Sequence, residues 1–149
     1  MRTSRIDFAF GAQHRLRTAC YVTQKHYLAG HAIIIYTQDE KRLRRFDQWL
    51  WKFEPTAFIP HVYHQDADAV SAAIVLSSQD PSTLLVSRKD AQPPWLLNLD
   101  LACPPSYEQF QRILEIVSEH ETDKQAARER WRQYQGAGHT VRAHKLTGT

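Results

Sequence analysis

The chain has 149 residues, of which 42% are hydrophobic and 23% charged, and its net charge is +3. This length suits one domain, predicted here over residues 1–149, that can fold without a disulfide or a structural metal. The positive surplus is small for a protein held on duplex DNA by electrostatics alone. The positions of the basic residues therefore matter more than their number.

The two cysteines, Cys20 and Cys103, lie far apart in the sequence and have no metal-ligand spacing around them. Reduced thiols in a cytoplasmic protein are the expectation, with no disulfide, structural zinc or bound cofactor. No apolar stretch is long enough for a signal peptide or a membrane-spanning helix. We therefore expect no membrane partner.

Strands and helices alternate in the first half of the chain. Alternation of apolar and polar residues predicts a strand over 5–10, and a helical repeat follows over 14–29. The apolar run at 31–37 is typical of a strand covered on both faces, as in a parallel sheet. A second helix is predicted over 39–53, beginning at two acidic residues.

The second half continues the alternation after a polar loop over 61–71. Extended segments are predicted at 73–78, 83–87, 95–101 and 113–117. Helices are predicted at 106–111 and 122–135, followed by an edge strand or tail at 139–146.

This order of elements predicts a three-layer α/β/α domain with a mainly parallel, Rossmann-like sheet. Folds of this class often bind nucleotides at the carboxyl ends of their strands. Here the turn after the first strand contains Gly11 alone, and neither GxGxxG nor GxxxxGK[ST] occurs. The architecture suggests a nucleotide site, but the residues of a phosphate loop are missing.

The last helix gathers three cations on one face. At about 100° per residue, Lys124, Arg128 and Arg132 fall within about 100° of arc, bordered by Trp131. No acidic residue of the helix enters this arc. Such a row suits a ligand that combines carboxylates or phosphates with an apolar group, and Val117 would add an apolar floor.

Two other interpretations of this row stay open. Cations on a helix are most often a solvated face, and Trp131 would then belong to the core. Basic residues beside an aromatic ring also suit single-stranded nucleic acid, although three cations make a small patch.

Two large aromatic residues form a second candidate site. Trp51 points away from the apolar stripe of the second helix, and Phe58 follows in a short apolar turn. Exposed together, they would form a protein-binding patch. Alternatively, Trp51 packs beneath the loop that follows it.

Evidence for enzymatic chemistry is weak. His61, His64, Asp66 and Asp68 could hold a metal, but a solvated polar loop is the more common use of such a segment. No serine or cysteine lies in a recognisable nucleophile turn. No catalytic or metal-binding residue is therefore assigned.

Three segments together resemble the chi subunit of bacterial DNA polymerase III holoenzyme. They are FDQWLW at 46–51, PTAFIPH at 55–61, and KQAARERWRQY at 124–134 with Ala137-Gly138. Their order and spacing, and the overall length, match that family over nearly the whole chain. The family commonly has tyrosine where this chain has Trp131.

The resemblance implies a non-catalytic accessory subunit of a DNA-directed DNA polymerase complex, associated with the clamp loader. It implies binding of the acidic C-terminal tail of single-stranded DNA-binding protein, which ends in Pro-Phe, and of the psi subunit. The implied tail-binding residues are Val117, Lys124, Arg128, Trp131 and Arg132. The implied psi-binding residues are Trp51 and Phe58, which in a host without psi could serve another partner such as a helicase.

One segment departs from the family, and two other functions stay open. Residues 79–94 are longer than the family usually needs between two strands, and an extra hairpin through 83–86 would account for the length. A direct single-stranded nucleic-acid-binding domain would use Arg42, Arg44 and Arg45; in the chi interpretation, nucleic acid is contacted only indirectly. A nucleotide-using enzyme is disfavoured by the missing phosphate loop.

Overall fold

The computed structural model describes residues 3–146, so the predicted domain extends beyond them at both ends. The strands are β1 (Arg5–Ala12), β2 (Ile33–Tyr36), β3 (Val62–Tyr63), β4 (Ile74–Ser77), β5 (Trp95–Asn98), β6 (Arg112–Ser118) and β7 (Thr140–Lys145). The helices are α1 (Arg15–Leu28), α2 (Glu40–Lys52), α3 (Thr83–Ser87) and α4 (Glu121–Gly136), with 3-10 turns at Ala67–Val70 and Tyr107–Gln109. None of these helices in residues 3–146 is long and apolar enough to cross a membrane.

The strands form one seven-stranded sheet in the order β3-β4-β2-β5-β6-β1-β7. Every neighbouring pair is parallel. Helices α1 and α2 pack on one face, and α3 and α4 cover the other. The predicted three-layer α/β/α fold with a parallel sheet is confirmed.

The apolar runs of the sequence form the centre of this sheet. All four residues of β2 are buried, because helices cover both of its faces. Leu43, Phe46 and Leu50 form the buried stripe of α2 at helical spacing. The helix begins at Asp39, whose carboxylate accepts hydrogen bonds from the Lys41 and Arg42 amides.

The prediction for residues 83–87 is wrong, because this segment forms the short helix α3 rather than an extended strand or hairpin. Asp80 organises the turn before it by accepting hydrogen bonds from the amide and hydroxyl of Ser82. Leu84 is the buried residue of the helix. The additional length of 79–94 therefore forms a helical turn packed on the sheet.

Two further segments differ in detail from the sequence-based expectation. The predicted loop 61–71 contains β3 and the 3-10 turn Ala67–Val70, and the short helix predicted at 106–111 is a single 3-10 turn. The segment 139–146 forms an edge strand, β7, instead of a tail. It pairs in parallel with β1 over six residue pairs.

The end of β1 is irregular. Its pairing with β6 shifts register between Phe10 and Ala12, and Gly11 adopts a φ of +92°. Residues with a side chain rarely adopt this φ, so glycine permits the bulge here. The bulge lies beside the groove described below.

Candidate functional site

Helix α4 presents a buried face and an exposed face. Ala127, Arg130 and Tyr134 are buried, whereas Arg128 and Arg132 are exposed. The helical period of 3.6 residues separates these two sets. Arg130 therefore has different surroundings from Arg128 and Arg132, although each lies only two residues away.

All five residues of the predicted tail site line one groove of about 660 Å³, called the α4 groove: Val117, Lys124, Arg128, Trp131 and Arg132. The groove lies between α4 and the strands β1 and β7. Ala143 and Lys145 line its β7 side. The sequence-based row of cations is thus one wall of a concave surface.

The floor of the α4 groove is apolar and aromatic. Trp131 is half-buried and packs on Phe8, with 5.1 Å between ring centroids. Phe10 is 39% exposed beside it, whereas Val117 is 7% exposed and forms only part of the base. An aromatic or aliphatic side chain could therefore bury surface against three rings of the floor and wall.

Each of the three α4 cations has a carboxylate partner, and one of these partners, Glu119, itself lines the groove. Lys124 Nζ lies 3.1 Å from Glu119, Arg128 Nη1 lies 3.5 Å from Glu121, and Arg132 Nη1 lies 2.9 Å from Glu129. Helix periodicity does not predict these pairs, because it gives only the direction in which each Cα–Cβ bond leaves the helix. Long, flexible side chains can contact carboxylates that lie in other directions. Exposed ion pairs of this kind contribute about 0.2–1 kcal/mol, so the cations remain available to a ligand.

The buried face of α4 carries a second ion pair. Arg130 Nη2 lies 3.0 Å from Glu115 Oε1, and both side chains are at most 2% exposed. The other oxygen of Glu115 accepts hydrogen bonds from Tyr134 Oη at 2.7 Å and Asn98 Nδ2 at 2.9 Å. This network ties α4 to β5 and β6.

The network shifts the acid–base behaviour of its members. Burial, and next the negative charge of Glu115, raise the pKa of Tyr134 well above its usual value. Burial opposes the charged form of Arg130, but the charge and hydrogen bond of Glu115 outweigh it, so the pKa of Arg130 is raised. Both directions favour a protonated Tyr134 and a charged Arg130, which hold Glu115 in place.

The sequence contains one signal for this network. Glu115 stands in the middle of an apolar strand that is buried on both faces. A buried carboxylate requires cationic and hydrogen-bonding partners. The partner, Arg130, lies fifteen residues away in the sequence, so only the fold identifies it.

The predicted aromatic patch is exposed. Trp51 is 50% exposed and Phe58 69% exposed, and their ring centroids lie 5.5 Å apart. Together with Tyr27, Pro60 and Ala72 they line a depression of about 310 Å³. The alternative in which Trp51 packs beneath the following loop is therefore wrong.

A hydrogen-bonded histidine lies beneath this patch. The ring of His61 is centred 4.6 Å from that of Trp51. Its Nε2 lies 2.6 Å from Asp47 Oδ1, and its Nδ1 lies 2.7 Å from the carbonyl oxygen of Ile59. These two contacts fix the orientation of the ring beneath Trp51. Tyr63 donates to the other oxygen of Asp47 at 2.7 Å and completes the support.

The histidines considered as metal ligands have other partners. His61 binds Asp47, and His64 lies 2.6 Å from the hydroxyl of Ser77. Across residues 3–146, no three His, Cys, Asp or Glu side chains are grouped so as to hold a metal ion. Cys20 is buried, and burial raises the pKa of its thiol to about 12, so it lacks the thiolate of a nucleophile at neutral pH.

Arg15 lies at the carboxyl ends of β5 and β6, where folds of this class often bind phosphates. Its guanidinium donates to the carbonyl oxygens of Leu99, Asp100 and Ile116 at 2.9–3.0 Å. Burial, and next the nearby Arg130, lower the pKa of Arg15 to about 10. The side chain is still charged at neutral pH. Its hydrogen bonds join the carboxyl ends of β5 and β6.

Comparison with known proteins identifies the relatives of this chain. The family model described as DNA polymerase III chi subunit, HolC, matches residues 3–142. A Pseudomonas aeruginosa protein named DNA polymerase III subunit chi is 30% identical over 148 residues, which cover 96% of this chain and 97% of the relative.

Two shorter matches carry the same name. The Escherichia coli DNA polymerase III subunit chi is 26% identical over 119 residues, covering 80% of this chain and 77% of the relative. That of Haemophilus influenzae is 27% identical over 115 residues, covering 77% and 76%. The residues that the family model matches include β1 to β6, the aromatic patch and α4, and the chain belongs to the DNA polymerase III chi subunit family.

Proposed function

We propose that this chain is a non-catalytic accessory subunit that binds the acidic C-terminal tail of single-stranded DNA-binding protein in the α4 groove. It thereby links the clamp loader to coated single-stranded DNA. The observation that supports this most is the combination of three cations with an aromatic floor in one groove of about 660 Å³. A solvated helix face would lack that floor.

The chemistry of the proposed tail matches the groove. Arg128 or Arg132 would bind the terminal carboxylate with two parallel hydrogen bonds, a geometry that arginine favours. The terminal phenylalanine ring would pack on Trp131 and reach Val117 at the base. Aspartates upstream in the tail would then lie near Lys124.

Binding requires the exposed glutamate partners to release the cations. Arg128 and Glu121 are 58% and 67% exposed, so their mutual attraction is weak and screened by salt. The flexible tail also loses conformational entropy when it is ordered. We therefore expect modest affinity that decreases as salt increases.

Calorimetry with a peptide of the tail tests this proposal. Replacement Arg128→Ala should weaken binding by at least about 1.5 kcal/mol, or about tenfold, because a charged hydrogen bond is lost. The matched control is Arg44→Ala, an exposed arginine on α2 outside the groove. Unchanged affinity in the Arg128 variant would contradict the assignment.

We further propose that the Trp51–Phe58 patch binds the psi subunit or, in a host without psi, another partner such as a helicase. Large exposed aromatic side chains are frequent anchors of protein interfaces. The hydrogen bonds of His61 to Asp47 and Ile59 support the patch from below and favour a preformed surface. The patch and the α4 groove involve different elements, so both partners could bind together.

Gel filtration of the chain with the psi subunit of the same organism tests this surface. Replacements Trp51→Ala and Phe58→Ala should each weaken the complex by about 2 kcal/mol or more, as expected for anchor residues. Leu28→Ala is the control, because Leu28 is 74% exposed at the end of α1 and lies outside the patch. If the Trp51 and Phe58 variants form the complex as well as the wild type does, the patch is not the psi-binding surface.

The alternative function, direct binding of single-stranded nucleic acid, has one supporting observation. Arg42 and Arg45 line a cleft of about 230 Å³ at the carboxyl end of the sheet. However, Arg42 lies 3.8 Å from both Asp39 and Asp100, which offset its charge. Fluorescence anisotropy with bare single-stranded DNA at low salt tests it; binding that decreases in Arg45→Ala would favour this alternative.

A further inference from the structure

The outermost strand of the sheet is open on one side. Among the described residues 3–146, strand β7 (Thr140–Lys145) pairs only with β1 and stands at the end of the strand order. Five of its six residues are exposed. A strand of this kind offers unpaired backbone groups to another chain.

The register identifies which backbone groups are unpaired. Thr140 N donates to Ser4 O at 3.1 Å, and Leu146 N donates to Phe10 O at 2.9 Å. In a parallel pair, the N–H and C=O of one residue point to the same side, and successive residues alternate. Even-numbered residues of β7 therefore face β1. Within residues 3–146, the amides of Val141, Ala143 and Lys145 have no strand partner.

These same odd-numbered residues border the α4 groove. Side chains alternate between the two faces of a strand, and those of Ala143 and Lys145 line the groove. Val141, on the same face, packs against the core beneath α4. A peptide lying in the groove thus meets free backbone groups at its β7 side.

The charge of this edge selects its partner. No acidic residue follows Glu129 in the sequence, whereas Arg142, His144 and Lys145 lie on β7. Lys145 projects to the groove face, and Arg142 and His144 project to the opposite face. His144 is hydrogen-bonded to Asp7, so the positive side chains are Lys145 on the groove face and Arg142 on the opposite face. An added strand would meet one of them on each of its faces, which favours an acidic peptide.

We propose that an acidic peptide bound in the α4 groove continues as an eighth strand along β7, hydrogen-bonded to the backbone of Val141, Ala143 and Lys145. This proposal rests on the proposed function of the groove. Main-chain hydrogen bonds in such strand addition supply affinity that depends little on sequence. Specificity would come from the groove, where the cations and the aromatic floor bind the end of the peptide.

A second copy of this chain is the other candidate for the edge. Two β7 strands placed side by side would add the positive charges of Arg142 and Lys145 of one copy to those of the other. Like charges facing each other across strands are destabilising. The acidic peptide is therefore the better match.

The replacement Ala143→Pro tests the strand addition. Proline removes the outward N–H of residue 143, while the β1–β7 hydrogen bonds, made by even-numbered residues, remain. We expect at least a fivefold loss of affinity for an acidic tail peptide. The matched variant Ala143→Val adds comparable bulk to the groove wall but retains the N–H, so the proline variant should bind at least fivefold more weakly than the valine variant. Equal affinity in the two variants would overturn the proposal.

Hydrogen exchange on the wild-type chain gives a readout that does not depend on a variant folding. Addition of the peptide should slow exchange of the Val141, Ala143 and Lys145 amides and leave Arg142 and His144, already bonded to β1, nearly unchanged. If the peptide binds in an Arg128-dependent manner without protecting the odd-numbered amides, the strand addition is wrong and the groove assignment survives. If the peptide does not bind at all, the groove assignment itself fails. Protection without peptide that increases with protein concentration would indicate self-pairing and also overturn the proposal.

Discussion

The two faces of α4 carry arginine–glutamate pairs of nearly equal length with different consequences. Arg130 lies 3.0 Å from Glu115 on the inner face, and Arg132 lies 2.9 Å from Glu129 on the outer face. The inner pair is at most 2% exposed, whereas Arg132 is 72% exposed. Distance alone therefore does not distinguish a pair that maintains the fold from one that is free to exchange partners; the surrounding solvent does.

The inner pair should have the largest effect on stability. Replacement Arg130→Ala leaves Glu115 buried with hydrogen bonds from Asn98 and Tyr134 but without its cation. Loss of one partner of a buried pair costs about 3–5 kcal/mol. Urea unfolding should show this decrease in the free energy of unfolding.

The outer face supplies the matched control. Arg132→Ala, on the same helix, should change the free energy of unfolding by less than about 0.5 kcal/mol. If both variants lose stability equally, burial is not what separates the two faces.

Trp131 lies where the two faces meet, so its replacement should affect both stability and binding. A fully buried tryptophan replaced by alanine costs about 3–5 kcal/mol, and the half-buried Trp131 should cost roughly 1–3 kcal/mol. Loss of the ring also removes the contact with Phe8 and part of the groove floor. Thermal unfolding and peptide calorimetry on Trp131→Ala measure the two effects.

The conservative replacement Trp131→Tyr distinguishes the effect of losing the aromatic ring from the effect of changing its size. It keeps an aromatic ring and should retain most of the stability and peptide affinity. If Trp131→Ala loses peptide binding but keeps the stability of the wild type, Trp131 belongs entirely to the outer face.

The sequence predicted the outer face better than the inner one, for a physical reason. Lys124, Arg128 and Arg132 follow the period of a single helix, so local geometry is enough to align them. The partner of Glu115 comes from an element fifteen residues away, and local patterns carry no information on that contact. For β7, the sequence offered an edge strand or a tail, but its pairing with β1 is a contact between distant segments that local patterns do not reveal.

For residues 83–87, the local sequence pattern predicted the wrong secondary structure. The sequence TLLVS has the apolar, partly β-branched composition of a strand. Asp80 and Pro81 instead begin a helical turn, with the Asp80 carboxylate accepting from Ser82. Five residues are too few for their periodicity to distinguish a helix from a strand. The turn residues before them determine which of the two forms.

Added salt should affect the two faces of α4 differently, which tests the comparison without a substitution. At 0.1 M ionic strength, charges more than about 10 Å apart in solvent are largely screened, whereas buried pairs are screened much less. Between 0.05 and 0.5 M sodium chloride, affinity for the acidic peptide should decrease by about fivefold. The free energy of unfolding should change little through the Arg130–Glu115 pair. Peptide affinity that is independent of salt would contradict a role for the exposed cations.

The smallest expected effect concerns the glutamates that pair with the groove cations. Glu129→Gln removes the charge that holds Arg132, and a peptide would no longer compete with it. Because exposed pairs contribute about 0.2–1 kcal/mol, affinity should increase by no more than this amount. Glu115→Gln, the inner counterpart, should instead destabilise the fold, since Arg130 would be left buried without a full counter-charge. Opposite outcomes from the same chemical change, measured by calorimetry and by urea unfolding, would show that the solvent around each pair determines its role. A decrease in affinity in Glu129→Gln would instead mean that Glu129 orients Arg132 for the ligand.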